Sequence, residues 1–282
     1  MRSAESAPGA AAVWDIATPS RPVLLPGVSM AGFRARTADP VDLSVVPYPA
    51  VTVAVDLGGG PLAVEDGGGR HEGSVVVGLA PSGVHGRGRG IECMQLRLSP
   101  LVAHAALGGS AELDGTVVPL RDLWGREAER TQERLRLAGS WPERFAIAEA
   151  TLARRVEAGP RVDPEVAFAW GQLVAYRGAV RVERLAAEAG WSRKRLWSRF
   201  RSQIGLNPKR AAQLVRFDDA AHRLATGCSA AQVAAEAGYA DQSHLHRDVR
   251  AFAGVTPTAV AAAPWLAVDG TAWAAPAHLT KA

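Results

Sequence analysis

The hydrophobic positions of this chain change their period partway along it. From Pro22 to Leu98, short apolar runs at Val41 to Val46, Val51 to Leu57, Ser74 to Leu79 and Ile91 to Leu98 are separated by glycine clusters at 58–60, 67–69 and 86–90. Runs of four to eight residues bounded by glycine turns predict an antiparallel β region. In the last run Met94, Leu96 and Leu98 alternate with more polar neighbours, Cys93 aside. From Pro100 onward the spacing lengthens to that of helices. Leu101, Val102, Ala105 and Leu107 mark the first, an extended segment is expected over Val117 to Leu123, and helices follow at about Gly125 to Leu137 and Pro142 to Val156. Phe145, Ala148, Leu152 and Val156 form one stripe on the last of these, read as a face packed on the β region, with a dimer seam or inter-domain strut as the alternative.

Beyond Ala158-Gly159-Pro160-Arg161-Val162-Asp163-Pro164, which reads as a linker, the pattern is helical and it repeats. Leu185-Ala186-Ala187-Glu188-Ala189-Gly190-Trp191 returns as Val233-Ala234-Ala235-Glu236-Ala237-Gly238-Tyr239. Leu196 then matches Leu245, Phe200 matches Val249, Gly205 matches Gly254 and Pro208 matches Pro257. A repeat of this length is one supersecondary unit used twice. In the first copy Leu185, Ala186 and Ala189 share a helical face, Gly190 supplies the turn and Ser192 caps a second helix over about Arg193 to Ile204. Leu196, Phe200 and Ile204 pack that helix onto the first, as in a helix-turn-helix. Its outer face carries Arg193, Lys194, Arg195, Trp197, Ser198, Arg199 and Arg201, with no acidic residue.

The second copy starts at the capping-box pattern Ser229-x-x-Gln232. Its outer helix, about Asp241 to Phe252, buries Leu245, Val249 and Phe252 and exposes Gln242, Ser243, His246, Arg247 and Arg250. Gln and Arg can form paired hydrogen bonds with adenine and guanine edges in the major groove, so the first unit is the more electrostatic and the second the better base reader. Arg199 and Arg201 are expected on phosphates. Trp197 is read either as stacking on a sugar or thymine methyl or as packing on Trp191. Between the units, Asn207-Pro208 opens a helix that runs to about Thr226, with Gly227 beyond it. Some 18 residues at 1.5 Å each span roughly 27 Å, a suitable spacer for double-stranded DNA read in two adjacent major grooves about 34 Å apart.

Leu185-Ala186-x-Glu188-Ala189-Gly190-x-Ser192-x-x-x-Leu196-x-x-x-Phe200, Gly205-x-x-Pro208, the helix holding Arg216 to Leu224, and Val233-Ala234-x-Glu236-x-Gly238-Tyr239-x-Asp241-Gln242-Ser243-His244-Leu245-x-Arg247 together resemble the AraC/XylS family of bacterial transcription regulators. The resemblance implies DNA contacts from Arg193, Lys194, Trp197 and Ser198 in the first unit and Gln242, Ser243, His246 and Arg247 in the second. Val249 departs from it, since phenylalanine is usual there; the smaller residue is expected to loosen the unit by about 1 kcal/mol. The implied plan is α+β. An antiparallel β-rich, sensor-like domain with C-terminal helices precedes an all-α domain of two helix-turn-helix units joined by a connecting helix. The expected boundaries are 1–20 for a flexible N-terminus, 21–158 for the ligand-sensing domain, 159–164 for the linker, 165–262 for the DNA-binding domain and 263–282 for a tail. The expected partners are DNA, a small-molecule effector, RNA polymerase if the protein activates, and a second copy in a homodimer.

Charge follows the same division. Between Arg161 and Val260 fifteen Lys and Arg face nine Asp and Glu, a net of +6, while the remainder carries −2 of the total of +4. Basicity confined to one half is the footprint expected of a nucleic-acid partner. No apolar run approaches the ~18 residues of a membrane span, and residues 1–12 lack a signal core, so a cytoplasmic protein is expected. Cys93 and Cys228 make no metal spacing and read as incidental thiols. His71, His85, Glu92 and His104 lack the close pairing of a metal site, and neither a metal nor a cofactor is expected. Gly86-Arg87-Gly88-Arg89-Gly90 is read as a solvated hairpin tip rather than an anion cradle, and Trp14, Tyr48 and Trp124 as core rather than a pocket lining. No motif in the first half names a ligand. Two rivals carry other functions: an alkyl-transferring repair enzyme, which needs a nucleophilic Cys93, and a β domain that serves only association. The tail, with Trp265 and Trp273, shows no clear element.

Overall fold

Both faces of the central β-sheet are apolar, and each finds its own cover. In a computed structural model that describes residues 13–273 apart from 81–82, 110–112 and 114, strands β1 (Trp14–Ala17), β2 (Val28–Ala35), β9 (Glu92–Leu98), β4 (Val51–Gly58), β7 (Val75–Val77) and β10 (Val117–Pro119) lie side by side in that order, all antiparallel. A second antiparallel sheet has the order β3 (Val41–Val45), β8 (Val84–Gly88), β5 (Ala63–Asp66), β6 (Gly69–Glu72). Successive side chains of a strand point to opposite faces. Met94, Leu96 and Leu98 of β9, with Val51, Val53 and Val55 of β4, pack beneath helices, whereas Cys93, Ala54 and Phe33 face Val41 and Val64 of the second sheet.

The helices begin at α1 (Pro100–Leu107), α2 (Leu120–Trp124), α3 (Arg126–Leu137) and α4 (Trp141–Ala158). Phe145, Ala148 and Leu152 of α4 are buried in the main core and Val156 is partly buried against it, the core-face arrangement that their spacing predicted. Gly32 of β2 lies so close to the Trp141 ring that a Cβ would meet it at 2.2 Å, which lets α4 settle on the sheet. After Pro160–Asp163, α5 (Pro164–Ala175) leads into α6 (Val182–Glu188) and α7 (Arg193–Ile204), the long α8 (Pro208–Ala225), then α9 (Ala230–Glu236), α10 (Gln242–Ala253), α11 (Pro257–Ala261) and α12 (Pro264–Ala272). Helix α7 packs on α1 and α12 on β1 and β3, so the two halves meet at both ends of the helical region.

Four expectations need correction. The segment Val117 to Leu123 is extended only to Pro119; Leu120 and Trp124 are buried helical residues of α2. The glycine-arginine run at 86–90 is no hairpin tip, because Val84–Gly88 is an inner strand and Arg87 bridges Asp42 and Glu65 on its two neighbours. Trp14–Ala17 forms an edge strand within the expected flexible N-terminus; residues 1–12 lie outside the described residues. Pro264–Ala272 is a helix within the tail, while the Trp265 side chain and residues 274–282 lie outside the described residues.

Candidate nucleic-acid interface and ligand cavity

The two helix-turn-helix units are built alike because their local signals are alike. The Arg195 amide donates to the Ser192 hydroxyl at the start of α7, and the His244 amide to the Asp241 carboxylate at the start of α10. Ser229 and Gln232 form the reciprocal capping box of α9, and the Arg210 amide donates to Asn207 at the start of α8. Gly190 and Gly238 occupy the turns at φ of +67° and +74°, a region that L side chains avoid. Leu185, Leu196, Phe200 and Ile204 are buried in the first unit, and Val233, Leu245, Val249 and Phe252 in the second. Phe217 of α8 stacks on Phe252 with centroids 5.0 Å apart, and Arg216 of α8 pairs with the buried Asp248 of α10 at 3.3 Å. The connecting helix therefore carries the second unit on both an aromatic and an ionic contact.

All the residues anticipated on the outer faces, Arg193, Lys194, Trp197, Ser198, Arg199 and Arg201 on α7 and Gln242, Ser243, His246, Arg247 and Arg250 on α10, are exposed. Their surroundings differ. Arg199 is held by Asp163 through two hydrogen bonds of 2.7 and 3.0 Å, and the Asp163 carboxyl is lowered from its ordinary value by that Arg199 contact. Arg193 approaches Glu183 of α6 at 3.2 Å, with both side chains in solvent. Trp197 is 43% exposed with the Arg201 guanidinium over its ring, while Trp191 receives Arg195 instead.

A second candidate site lies between the sheets. A cavity of about 150 Å³ is lined by apolar side chains that include Trp14, Phe33, Val64, Ile91, Cys93 and Trp273. Of the aromatic trio considered above, Trp14 and Tyr48 line it, whereas Trp124 sits in the core with its indole N–H donating to the Ala106 carbonyl. The polar part is small: Tyr48 hydrogen-bonded to Thr52, Gln95, Arg97 and Asp269. Arg97, only 12% exposed, lies between the rings of Tyr48 and Trp273 at 3.9 and 4.2 Å and pairs with Asp269 of α12 at 2.5 Å. The other Asp269 oxygen accepts from His222 Nε2 on α8 at 3.0 Å, and His222 Nδ1 meets the Asp218 carbonyl at 2.8 Å. Burial acts to raise the Asp269 carboxyl, but the His222 hydrogen bond and the Arg97 charge outweigh it and lower it. His222 is raised to about 9, chiefly by its hydrogen bond with Asp269. Sequence reasoning missed Arg97, His222, Asp269 and Trp273 as a group. The alternation of β9 placed Arg97 opposite the core leucines, and nothing local distinguished a cavity-facing arginine from a solvated one.

Cys93 is buried and burial pushes its thiol up to about 12, the direction opposite to that of an activated, nucleophilic cysteine. His71 lies near Asp66 and His85 near Asp42, and no cluster of three metal-ligating side chains occurs among the described residues. Among the described residues no helix is long and apolar enough to cross a membrane.

Residues 185–263 match the protein family described as a helix-turn-helix domain. No curated protein matches the chain. Among solved structures the chain is similar to ToxT from Vibrio cholerae O395, at 11% identity and a TM-score of 0.46, covering 83% of this chain and 97% of that one. It is also similar to the C-terminal domain of AraT, a response regulator from Geobacillus stearothermophilus, at 19% identity and a TM-score of 0.34 over 36% of this chain and 87% of that one. The AraC-like transcriptional activator CuxR aligns at 16% identity and a TM-score of 0.28, over 68% and 81%.

Proposed function

We propose that the chain, whose residues 185–263 match a helix-turn-helix domain family, is a sequence-specific DNA-binding transcription regulator of the AraC type whose β-rich domain takes a small-molecule effector. The observation that carries the DNA reading is the pair of capped, basic or amide-bearing helices α7 and α10, joined by the 18-residue α8. Each enters one major groove. Arg193, Lys194, Trp197 and Ser198 meet the first groove, with Arg201 on phosphate. Gln242, Ser243, His246 and Arg247 read bases in the second, with Arg250 at its edge. Arg199, tied to Asp163, steadies the linker in the free protein. The effector reading rests on the apolar cavity between the sheets, since such cavities with a few convergent polar groups are where small molecules bind. As a regulator of genes the protein acts in the cytoplasm.

The test is selection of genomic fragments by the purified full-length chain at about 150 mM salt, with the bound pool sequenced. Enrichment of a shared site of roughly 16–20 base pairs, spanning two adjacent major grooves, is the expected result. Salt-sensitive retention with no enriched sequence would remove base reading from the proposal.

A further inference from the structure

One wall of the cavity between the sheets comes from beyond the second helix-turn-helix unit. Helix α12 and Trp273 supply it, and Val268, Asp269 and Trp273 line a cavity otherwise built by the first half. Trp273 packs against Phe33 at 6.3 Å and is buried there. Asp269 of the same segment binds Arg97 on the cavity side and His222 of the connecting helix on the other. One short element thus touches both the cavity and the helix that connects the two units.

The size and charge of the cavity limit its occupant. A dry apolar cavity of about 150 Å³ accommodates benzene, and this one has that volume and an apolar lining. Arg97 Nε is buried and has no hydrogen-bond partner among the described residues, so it leaves an N–H for an acceptor on the occupant. The guanidinium charge is already met by Asp269. Around it stand Arg97 and His222 against Asp269 and Asp218. With the imidazole protonated this cluster is neutral, and with it neutral the cluster is negative; in neither state does it leave a cation for a buried anion. An unpaired buried charge is far more costly than an unpaired dipole.

We propose that the cavity takes an uncharged, apolar molecule of about one ring, carrying a hydrogen-bond acceptor for Arg97 Nε–H, and that α12 passes its occupancy to the connecting helix through Asp269 and His222. This rests on the effector reading of the cavity given above. A ligand that fills the space against Trp273 and accepts from Arg97 fixes α12 in its docked position. Through Asp269 the docked helix holds His222, and with it the segment of α8 that supports the second unit.

The experiment uses the full-length chain without DNA and three probes of similar size: acetophenone, with one neutral acceptor, ethylbenzene, with none, and benzoate, an anion. Calorimetric or ligand-observed NMR titration is expected to give acetophenone a Kd about tenfold below that of either of the others. Arg97→Met should bring acetophenone down to ethylbenzene, and Ala54→Leu, which fills the cavity from β4, should abolish both. Hydrogen exchange on acetophenone binding should slow at 264–273 and at 218–222, and in His222→Leu only at 264–273. Benzoate binding as tightly as acetophenone would overturn the charge argument, and unchanged exchange at 264–273 would overturn the role of α12. Failure of all three probes at about 5 mM would overturn the ligand class; the fragment selection, which needs no ligand, tells that failure from a failure of the DNA reading.

Discussion

Basic residues that look equivalent in the sequence of α7 are not equivalent in space. Arg199 spends both sides of its fork on Asp163, whereas Arg201 keeps its charge in solvent over the Trp197 ring. Arg201→Ala is therefore expected to flatten the dependence of log affinity on log salt by about one unit without altering sequence preference. Arg199→Ala should leave that slope within experimental error, because its charge is already met by a carboxylate. A salt titration of the two variants against the wild type decides, and equal slopes in both variants would return Arg199 to the phosphate set. On α10, Arg247 is exposed in the first two turns beside Gln242 and Ser243. Arg247→Ala should weaken the selected site by about 1–3 kcal/mol and barely change binding to random DNA. A parallel loss on both would mark Arg247 as a phosphate contact.

At the scale of elements, the second helix-turn-helix unit depends on contacts with α8 that differ in kind. Asp248→Ala leaves Arg216, with 14% of its side chain exposed, beside Tyr239 without its carboxylate. Breaking one side of a buried pair costs about 3–5 kcal/mol, whereas loss of the Ser229 cap costs about 1 kcal/mol. Urea unfolding of the two variants should show that order, and a smaller loss for Asp248→Ala would mean that water reaches Arg216. These elements were largely legible in the sequence, because caps, turn glycines and apolar spacing are local signals: Ser192, Asn207, Ser229 and Gly190 all act where their pattern placed them. The β domain was legible as strands but not as sheets. Pairing β3 with β8 and β5 with β8 joins segments far apart in the chain, so the run at 86–90 looked like a turn until its neighbours were known. The β9 alternation was visible, but the face that carries Cys93, Gln95 and Arg97 turned out to look into a cavity. That face is identified only by what lies opposite, including a helix some 170 positions later in the chain.

For the molecule as a whole, the ionic cluster that joins β9, α12 and α8 gives cohesion a pH dependence. His222 faces Asp218 on its own helix and Asp269 on α12, with Arg97 of β9 behind Asp269. Its pKa rises from 6.5 to about 9 in the folded chain, first through the Asp269 hydrogen bond. A group raised on folding binds its proton more tightly in the native state, so the stability it contributes is complete below the unfolded value and disappears as pH climbs through the folded one. The contribution is therefore present at pH 6.5 and declines toward pH 9. The imidazole is partly exposed, which screens the interaction and makes the effect modest. Thermal midpoints across this range for the wild type and His222→Gln should differ most at the acid end and converge near pH 9, since the other titrations are common to both chains. Asp269→Asn should remove the same pH-dependent difference, because it takes away the carboxylate that holds the proton. A gap between wild type and His222→Gln that stays constant with pH would show that His222 contributes by packing alone, and that the bond from α12 to the connecting helix carries no charge.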